Sequence, residues 1–456
     1  MLQFDRNLLR KYDVRGPRYT SYPTAPQFSE QFGEEAYAQM AAHVGKQPAP
    51  LSLYVHIPFC NTICFYCGCN KVVTANYKRA ETYLDFLEKE MALQAQWFGE
   101  REVTQLHFGG GTPTYLNEAD LRRVMGDLRK YFRLSDAPER EFSIEIDPRT
   151  VTDEKLTVLK ELGFNRMSLG VQDFDPAVQQ AVNRIQSVEQ TQRVLATGRK
   201  LGFRSTNVDL IYGLPKQTVK SFSETLETVI AMRPERLAVY SYAHMPQLFK
   251  TQKQINKADL PDSEEKLQLL ELTIDAFTEA GYEYIGMDHF ALPEDELAVA
   301  LKEGTLQRNF QGYSTYAELD MLALGVSAIS YLGTTYAQHT RDIAAYQEAL
   351  SEGRLPVMRG FTLSHEDTLR RRVIQDIMCQ GVMDFEQLEA EFGIQVGQHF
   401  ARELNNVTEL VADGLIMLGT NKLQVTPKGR LFLRNIAMVF DEYITAAGPE
   451  RYSRAI

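Results

Sequence analysis

The sequence predicts an α/β fold in which a parallel sheet closes part of the way into a (β/α) barrel, followed by a mostly helical C-terminal domain. Between residue 51 and about residue 290, short apolar runs alternate with amphipathic helical patterns. Polar residues follow most of the apolar runs. Because the carboxyl ends of barrel strands share one rim, this placement favours a barrel over an open doubly wound sheet.

The strands are predicted from seven apolar runs: LSLYVHI, QLHFGGG, FSIEIDP, RMSLGVQD, TNVDLIYGL, RLAVYSYAH and EYIGMDHF. Several are apolar on both faces, which is typical of strands buried in a parallel sheet. Helical patterns lie between most of them. In NEADLRRVMGDLRKYF, one stripe holds Leu121, Val124, Leu128 and Phe132, as expected for a helix that packs against a sheet.

A weak repeat supports this order. Gly163, Gly202 and Gly281 each follow a helical pattern and precede a predicted strand, at separations of 39 and 79 residues. Glycine suits the position after a helix because it adopts the left-handed conformation without a Cβ clash. The spacing predicts a repeated βα unit of roughly 40 residues.

Three domains are predicted: an N-terminal arm over 1–50, the barrel over 51–360 and a helical domain over 361–456. We expect the arm, with its turn-rich GPRYTSYPTAP stretch, to cover the barrel mouth and the substrate. The last domain reads as three helices, a hairpin and a helix, an order that resembles a winged-helix module. It has 10 Lys and Arg against 13 Asp and Glu, so it lacks the basic surface of a nucleic-acid-binding domain and is expected to be a packing or lid domain.

Composition excludes several classes of protein. The 456-residue chain is 44% hydrophobic and 24% charged with a net charge of −11, which argues against nucleic acid or an anionic membrane as a partner. Its start, MLQFDRNLLRKYD, contains no apolar core of a signal peptide. The stretch MLALGVSAISYLG is too short to span a bilayer. A cytoplasmic location is predicted, where disulfides are disfavoured.

Polar residues follow the predicted strands in chain order. A cysteine cluster follows the first strand and GGGTP the second. The later ones are Glu145, Asp147, Gln172, Asp173, Asp209 and His244. Stability alone does not explain such a series, and in a barrel these side chains meet at the rim where active sites form.

The cysteine cluster is the most specific feature. Cys60, Cys64, Cys67 and Cys69 have the spacing C-x3-C-x2-C-x-C, while Cys379 lies 310 residues further on. Structural zinc sites use two distant cysteine pairs, and four ligands within ten residues would strain a tetrahedral shell. An iron–sulfur cluster accepts a compact run because its ligands bind different irons. The spacing favours a cluster with one open iron, with zinc or a redox dithiol as alternatives.

The C-x3-C-x2-C motif after the first strand, with Tyr66 before its third cysteine, resembles the radical S-adenosylmethionine superfamily. GGGTP at Gly109–Pro113 resembles the glycine motif of that superfamily. A glycine run alone is also typical of a tight turn that needs positive φ, but its place after the second strand makes the resemblance specific.

Further motifs narrow the resemblance. They are GPRYTSYPT, CGCNK, VQDF, NVDLIYGLP, GMDHFA, RNFQGY and RLFLRNIAMVFDEY. Together they make the chain similar to the oxygen-independent coproporphyrinogen III oxidase family from about residue 10 to the C-terminus.

This resemblance implies an activity. Members of the family convert two propionate side chains of coproporphyrinogen III into vinyl groups in anaerobic haem synthesis. The resemblance implies that Cys60, Cys64 and Cys67 bind one 4Fe–4S cluster. S-adenosylmethionine on its open iron then yields a 5′-deoxyadenosyl radical that abstracts hydrogen from the substrate. A reductase or flavodoxin-type protein would supply the electron.

The resemblance also implies two S-adenosylmethionine sites. The cluster-bound molecule would contact Tyr54, Gly110, Glu145 and Ile329. The second would contact Tyr66, Gly111, Thr112, Gln172, Arg184, Asp209 and Ala243. Helix capping is the alternative role for Glu145 and Asp209, and an exposed helix position is the alternative for Arg184.

Charge predicts the substrate contacts. A substrate with four propionates needs local positive charge in an acidic protein, and the candidates in or beside the motifs are Arg18, Arg149, Lys216 and Arg308. We expect a monomer with neither nucleic acid nor membrane as a partner. The alternatives are a haem-binding chaperone of the same superfamily, whose members lack the GPRYTSYPT arm and the extra Cys69, and a zinc-dependent regulator that uses the winged-helix-like tail.

Overall fold

The computed structural model divides the chain into two compact units and describes residues 4–316, 319–444 and 452–454. The barrel unit comprises Ser29–Leu269 and Leu319–Thr362, and the helical unit comprises Met1–Phe28, Leu270–Glu318 and Leu363–Ile456. The domain limits that the sequence predicts, after residues 50 and 360, stay a prediction.

The barrel unit is built on one sheet. Its ten main strands are β1 Leu51–Ile57, β2 Glu102–Gly110, β3 Glu141–Ile146, β4 Arg166–Gln172, β5 Ser205–Tyr212, β6 Arg236–Ser241, β7 Asp320–Leu324, β8 Ile329–Leu332, β9 Thr335–His339 and β10 Val357–Thr362. They lie in the order β6-β5-β4-β3-β2-β1-β7-β8-β9-β10. All neighbours from β6 to β7 are parallel, and the last three strands are antiparallel. The predicted parallel, barrel-like sheet is confirmed.

The strands form where the sequence supplies apolar residues to both faces. In β1, Leu53, Val55 and Ile57 on one face have no exposed surface, and Ser52 and His56 on the opposite face are also buried. Strands covered on both faces need such nearly continuous apolar runs. The first six predicted runs therefore become β1 to β6.

Amphipathic helices connect the strands of the barrel unit. They are Glu34–Val44, Lys78–Phe98, Glu118–Tyr131, Asp153–Glu161, Pro176–Ala181, Val188–Lys200, Val219–Met232 and Ile343–Ser351. The stripe of Glu118–Tyr131 is confirmed, because Leu121, Val124 and Leu128 are buried. Asn117 caps this helix by accepting from the Asp120 N–H at 2.8 Å, which satisfies one of its free donors.

The glycine repeat is confirmed. Gly163, Gly202 and Gly281 have φ values of 105°, 75° and 89°, in the range that favours glycine. Arg233 takes a φ of 49° after Val219–Met232, where the repeat lacks a glycine.

The helical unit consists of short helices and small sheets. Its helices are Arg6–Lys11, Glu296–Glu303, His365–Gln380, Phe385–Phe392, Val396–His399, Ala401–Asn406, Thr408–Ala412 and Leu433–Met438. The hairpin Ile416–Leu418 and Lys422–Val425 pairs with a third strand, Val382–Asp384. Helices followed by a small antiparallel hairpin and a last helix confirm the winged-helix-like order.

One predicted strand differs. EYIGMDHF forms two short antiparallel strands, Glu283–Gly286 and His289–Ala291, instead of one. Gly286 and Met287 both have positive φ, so the chain reverses between them. Apolar content alone does not reveal such a turn.

A helix that spans a bilayer needs a long, predominantly apolar stretch, and none of the helices in the described part of the chain has one.

Candidate active site

A cavity of about 480 Å³ opens at the carboxyl ends of the parallel strands of the barrel unit. This volume lies in the range of small-molecule sites. Fourteen of the residues that the sequence singles out line it: Cys60, Cys64, Tyr66, Cys67, Cys69, Gly110, Gly111, Thr112, Glu145, Asp147, Arg149, Gln172, Arg184 and Asp209. Most of the strand-end polar residues therefore meet in one cavity as predicted, but Asp173 and His244 do not line it.

The cysteines belong to a loop that leaves β1. Cys60 ends a short strand, Phe59–Cys60, which pairs with Val72–Val73 after the loop. A turn brings the Cys67 N–H to the Cys64 carbonyl at 3.2 Å. Cys60 and Cys64 are buried, Cys67 is half-buried and Cys69 is exposed. These four thiols all line the cavity.

The thiols differ in acidity. Burial raises the pKa of Cys60 to about 11, although the Thr112 hydroxyl donates to its sulfur at 3.5 Å. Cys69 donates to Cys67 and, with the charge of Lys71, lowers the pKa of Cys67 to about 6. The same contact raises the pKa of Cys69. Cys69 thus favours the thiolate form of a neighbouring predicted ligand.

The donor set fits an iron–sulfur cluster. Three thiols reach one partly enclosed cavity, and thiolate sulfur is the ligand that such clusters use. Among the described residues, no three or more His, Cys, Asp or Glu side chains are arranged to share a single metal ion. Cluster ligands bind different irons, so they do not need to meet at one point.

The glycine turn after β2 is bonded to the chain that enters the cysteine loop. The Gly111 N–H donates to the Ile57 carbonyl and the Thr112 N–H donates to the Phe59 carbonyl, both at 2.8 Å. These two bonds fix the turn against the end of β1. We call this pair of bonded segments the loop–turn clasp.

Only glycine fits in this turn. A Cβ on Gly111 would lie 2.5 Å from the Pro58 carbonyl oxygen, and one on Gly110 would lie 2.7 Å from the His56 ring. Gly110 also has a φ of 117°, which L side chains rarely adopt. The absence of side chains lets the turn pack closely against the chain that leads from β1 into the cysteine loop.

Strand register brings Glu145 beside the turn. Its carboxylate accepts from the Gly110 N–H at 3.3 Å and lies 3.4 Å from His107 Nε2. His107 is held by the Ser143 hydroxyl at 2.6 Å and stacks on Tyr54 with ring centroids 5.9 Å apart. The side chain of Glu145 remains 45% exposed, so its carboxylate can accept donors from a ligand.

Asp209 lies deeper between β4 and β5. Its carboxylate accepts from the Ser168 hydroxyl at 3.0 Å and from the Asn207 amide at 2.7 Å. Burial, with the nearby charge of Glu145, raises the pKa of Asp209 to about 6. Its carboxylate is therefore ionised at pH 7 but close to its titration range.

Helix capping is wrong as a role for these two carboxylates. Thr152 caps the helix after β3, and Thr218 caps the helix after β5. Glu145 and Asp209 instead face the cavity.

The alternative for Arg184 is also wrong, because only 6% of the residue is exposed. It follows the helix Pro176–Ala181 and turns inward, where it donates to the Asp147 carboxylate at 3.2 Å and to the Gly170 carbonyl. Asp147 also binds Arg149 through two nitrogens at 3.0 and 2.7 Å. Burial alone would raise the pKa of Asp147, but the two arginines outweigh it and hold the pKa below its ordinary value.

Three predicted cofactor contacts do not line the cavity itself. Tyr54 belongs to β1, and its ring lies 3.1 Å from the position that a Cβ on Gly109 would occupy. Ile329 is the first residue of β8. The carbonyls of Ala243 and Tyr66 both accept from the Gln252 amide, at 3.2 and 2.9 Å. Gln252 therefore ties Ala243 to the cysteine loop.

The four substrate candidates have different surroundings. Of the four, only Arg149 lines the cavity. Lys216 is exposed in the barrel unit. In the helical unit, Arg18 pairs with Asp288, and the buried Arg308 lies 4.8 Å from the Tyr313 ring centre.

Sequence reasoning did not assign several lining residues to the site. They are Asn61, Thr62, Lys71, Pro113, Ile146, Thr150, Ser168, Gly170 and Tyr240. Ser168 and Tyr240 lie inside strands, where only the register shows which face they occupy.

Comparisons with known proteins show the family of the chain. A family model described as "Radical SAM superfamily" matches residues 54–229, and one described as "HemN C-terminal domain" matches residues 363–432. The chain is 48% identical over its whole length to the "Oxygen-independent coproporphyrinogen III oxidase" of Pseudomonas aeruginosa, covering 99% of that relative. The protein of the same name from Escherichia coli K12 is 47% identical, again with 100% and 99% coverage.

A solved structure supports the fold. It is described as "Coproporphyrinogen III oxidase (HemN) from Escherichia coli is a Radical SAM enzyme". It matches with a TM-score of 0.92 at 47% identity, covering 97% of this chain and 100% of the other. The chain is therefore a radical S-adenosylmethionine enzyme that belongs to the oxygen-independent coproporphyrinogen III oxidase family.

Proposed function

We propose that the protein removes carbon dioxide oxidatively from two propionate side chains of coproporphyrinogen III, giving the two vinyl groups of protoporphyrinogen IX. Each propionate loses a β-hydrogen atom, carbon dioxide and one electron, which a separate one-electron acceptor takes. One observation carries the proposal: three thiols and a side-chain-free glycine turn face one cavity in a chain that matches these oxidases over its full length.

The proposal includes the cofactors that the family resemblance implies, and the thiol donor set supports the cluster among them. Cys60, Cys64 and Cys67 hold one 4Fe–4S cluster, and two S-adenosylmethionine molecules bind beside it. When bound, these groups supply a radical that abstracts hydrogen from the substrate. The protein contributes position, charge and exclusion of water.

The first S-adenosylmethionine site consists of Tyr54, Gly110, Glu145 and Ile329. Glu145 accepts from the ammonium group of the cofactor, because its carboxylate is exposed toward the cavity and is oriented by His107 and the Gly110 N–H. A charged acceptor gives the stronger class of hydrogen bond to an ammonium donor.

The second site consists of Tyr66, Gly111, Thr112, Gln172, Arg184, Asp209 and Ala243. Arg184 pairs with the cofactor carboxylate, and its Nε atom, which is buried without a hydrogen-bond partner among the described residues, is available for this. Asp209 accepts from ribose hydroxyls. Ser168 and Asn207 hold its carboxylate in place.

Arg18, Arg149, Lys216 and Arg308 are proposed to neutralise the propionates. Arg308 is notable because its Nε and one terminal nitrogen are buried without hydrogen-bond partners in the described chain. A carboxylate satisfies such donors well.

The wider setting is proposed from the same assignment. The enzyme acts as a cytoplasmic monomer with an N-terminal arm over 1–50 that covers the substrate, a barrel over 51–360 and a helical domain over 361–456. A reductase or flavodoxin-type protein reduces the cluster. Nucleic acid and membranes are not partners, in keeping with the net charge of −11.

An anaerobic turnover assay tests the function. Reconstituted protein is incubated with dithionite, S-adenosylmethionine and coproporphyrinogen III, and the porphyrins and 5′-deoxyadenosine are quantified by chromatography. We expect protoporphyrin with two 5′-deoxyadenosines per molecule. Deoxyadenosine without loss of propionate would contradict the substrate assignment, and haem binding without turnover would favour a chaperone.

A further inference from the structure

Asp147 lies between two arginines at the inner wall of the cavity. It binds Arg149 through a two-nitrogen fork and Arg184 through a single nitrogen. Only 8% of Asp147 is exposed. Its low pKa keeps the carboxylate ionised at neutral pH, so the three side chains form a fixed group of two positive charges and one negative charge. We call it the Asp147 group.

Both arginines of the Asp147 group also reach one sulfur. A terminal nitrogen of Arg184 lies 3.7 Å from Cys64 Sγ, and a terminal nitrogen of Arg149 lies 4.0 Å from the same atom. Both distances are within the range of hydrogen bonds to sulfur. Cys60, in contrast, receives only a neutral hydroxyl from Thr112 among the described side-chain hydrogen bonds to its sulfur. Among the three predicted ligands, the charge of the Asp147 group is thus directed at Cys64, whereas the positive charge that acts on Cys67 is that of Lys71.

Positive charge at this position affects electron transfer. Hydrogen bonds to the ligand sulfurs and local charge are among the factors that set the reduction potential of iron–sulfur clusters. Reduction adds a negative charge, which a net positive group beside a buried sulfur stabilises. The Asp147 group therefore favours the reduced state.

We propose that Arg149, oriented by Asp147, is a positioning residue that raises the reduction potential of the cluster through the Cys64 sulfur. This inference rests on the proposed cluster, and it assigns to Arg149 a role beyond its proposed contact with the substrate. Arg184 contributes to the same charge, but it is also assigned to a cofactor. Arg149 is the better residue to test because its other contacts are to Asp147.

The test is the midpoint potential of the cluster, measured by EPR at controlled potentials in reconstituted full-length protein without S-adenosylmethionine or substrate. Arg149→Gln removes the positive charge. Arg149→Lys keeps the positive charge but loses the two-nitrogen contact with Asp147. Arg122→Gln is the control, because Arg122 is half exposed and pairs with Glu161 on the surface. Iron content and absorbance show whether each variant holds the cluster.

We expect a more negative midpoint for Arg149→Gln. At the wild-type midpoint, its ratio of reduced to oxidised cluster should fall by about threefold or more, with a smaller fall for Arg149→Lys and none for the control. An unchanged midpoint in Arg149→Gln with full iron content would overturn the inference, and a raised KM with that unchanged midpoint would assign Arg149 to the substrate.

Loss of the cluster is also informative. If Arg149→Lys retains iron and Arg149→Gln does not, charge at Cys64 supports the cluster, in agreement with the inference. If both variants lose iron, the two-nitrogen contact between Arg149 and Asp147 is required for folding, and the inference is wrong. Because the titration contains neither S-adenosylmethionine nor porphyrinogen, failure of the turnover assay would leave its outcome unaffected.

Discussion

Two aspartates of one cavity show how surroundings decide what a carboxylate can do. Asp147 has two arginine partners, and its pKa lies below the ordinary value. Asp209 accepts from the neutral donors Ser168 and Asn207, and burial raises its pKa to about 6. Asp147 is thus stably charged, whereas Asp209 carries its charge at a cost in folding free energy that a ligand with hydroxyl donors offsets.

Asp209→Asn should stabilise the protein without cofactors at pH 7. The raised pKa means that this group contributes most to stability below its ordinary pKa of 3.8. The contribution is lost as the pH rises through about 6. Removing the charge should therefore increase the free energy of unfolding by about 1–2 kcal/mol at pH 7, after allowance for water in the open cavity. Urea unfolding at pH 5 and pH 7 measures this.

The same variant should bind S-adenosylmethionine more weakly, which equilibrium dialysis can measure. Asp136→Asn is the control, since Asp136 is exposed and lies outside the cavity. Equal stability of Asp209→Asn and wild type at pH 7 would contradict the assigned cause of the pKa shift.

At the scale of elements, strand periodicity was enough to predict β1 to β6 and the loops that follow them. The burial of Arg184 was not predictable, because it depends on the short helix Pro176–Ala181 turning the chain inward, and local pattern does not encode that turn. The hairpin at Gly286 and Met287 was missed for a similar reason. The periodicity of apolar residues indicates which residues are buried, but it does not indicate where the chain reverses direction within an apolar run.

Gly111→Ala tests the loop–turn clasp. The added Cβ would lie 2.5 Å from a backbone oxygen, so the turn or the cysteine loop must shift. We expect a loss of about 1–3 kcal/mol in the free energy of unfolding and reduced iron content after anaerobic reconstitution. Thermal melting and iron analysis measure the two effects.

Gly126→Ala is the matched control. Gly126 lies inside the helix Glu118–Tyr131, and a Cβ there meets no atom within 4 Å. Alanine should stabilise the protein by about 1 kcal/mol with full iron content. If Gly111→Ala behaved like this control, close packing of the turn would not explain its glycine.

At the scale of the whole molecule, the balance of acidic and basic residues argues against the function that the order of elements in the helical unit would suggest. The helical unit has the order of a winged-helix module, but residues 361–456 carry more acidic than basic side chains. The order of the secondary-structure elements could be predicted from the sequence, and so could the lack of a basic surface. Which residues of the barrel meet in the cavity required the register of the sheet.

The full-length protein should not bind duplex DNA. Nucleic-acid affinity depends on neutralising phosphates with Lys and Arg, and the net charge of −11 opposes it. Fluorescence anisotropy with a labelled 20-bp duplex at physiological salt should show no change. Binding that weakens as salt rises would contradict this expectation and would return a regulatory role to the helical unit.

The loop–turn clasp limits how the two segments can be substituted or transferred to another protein. Because the Ile57 and Phe59 carbonyls accept from Gly111 and Thr112, the chain segments proposed to hold the cluster and the cofactor are a single module although they are about 50 residues apart in sequence. Because both bonds join backbone groups, the substitutions in one segment that disturb the other are those that move the backbone, such as a side chain added at Gly111. Transplanting this chemistry into another barrel means moving both segments together with the two strands that carry them.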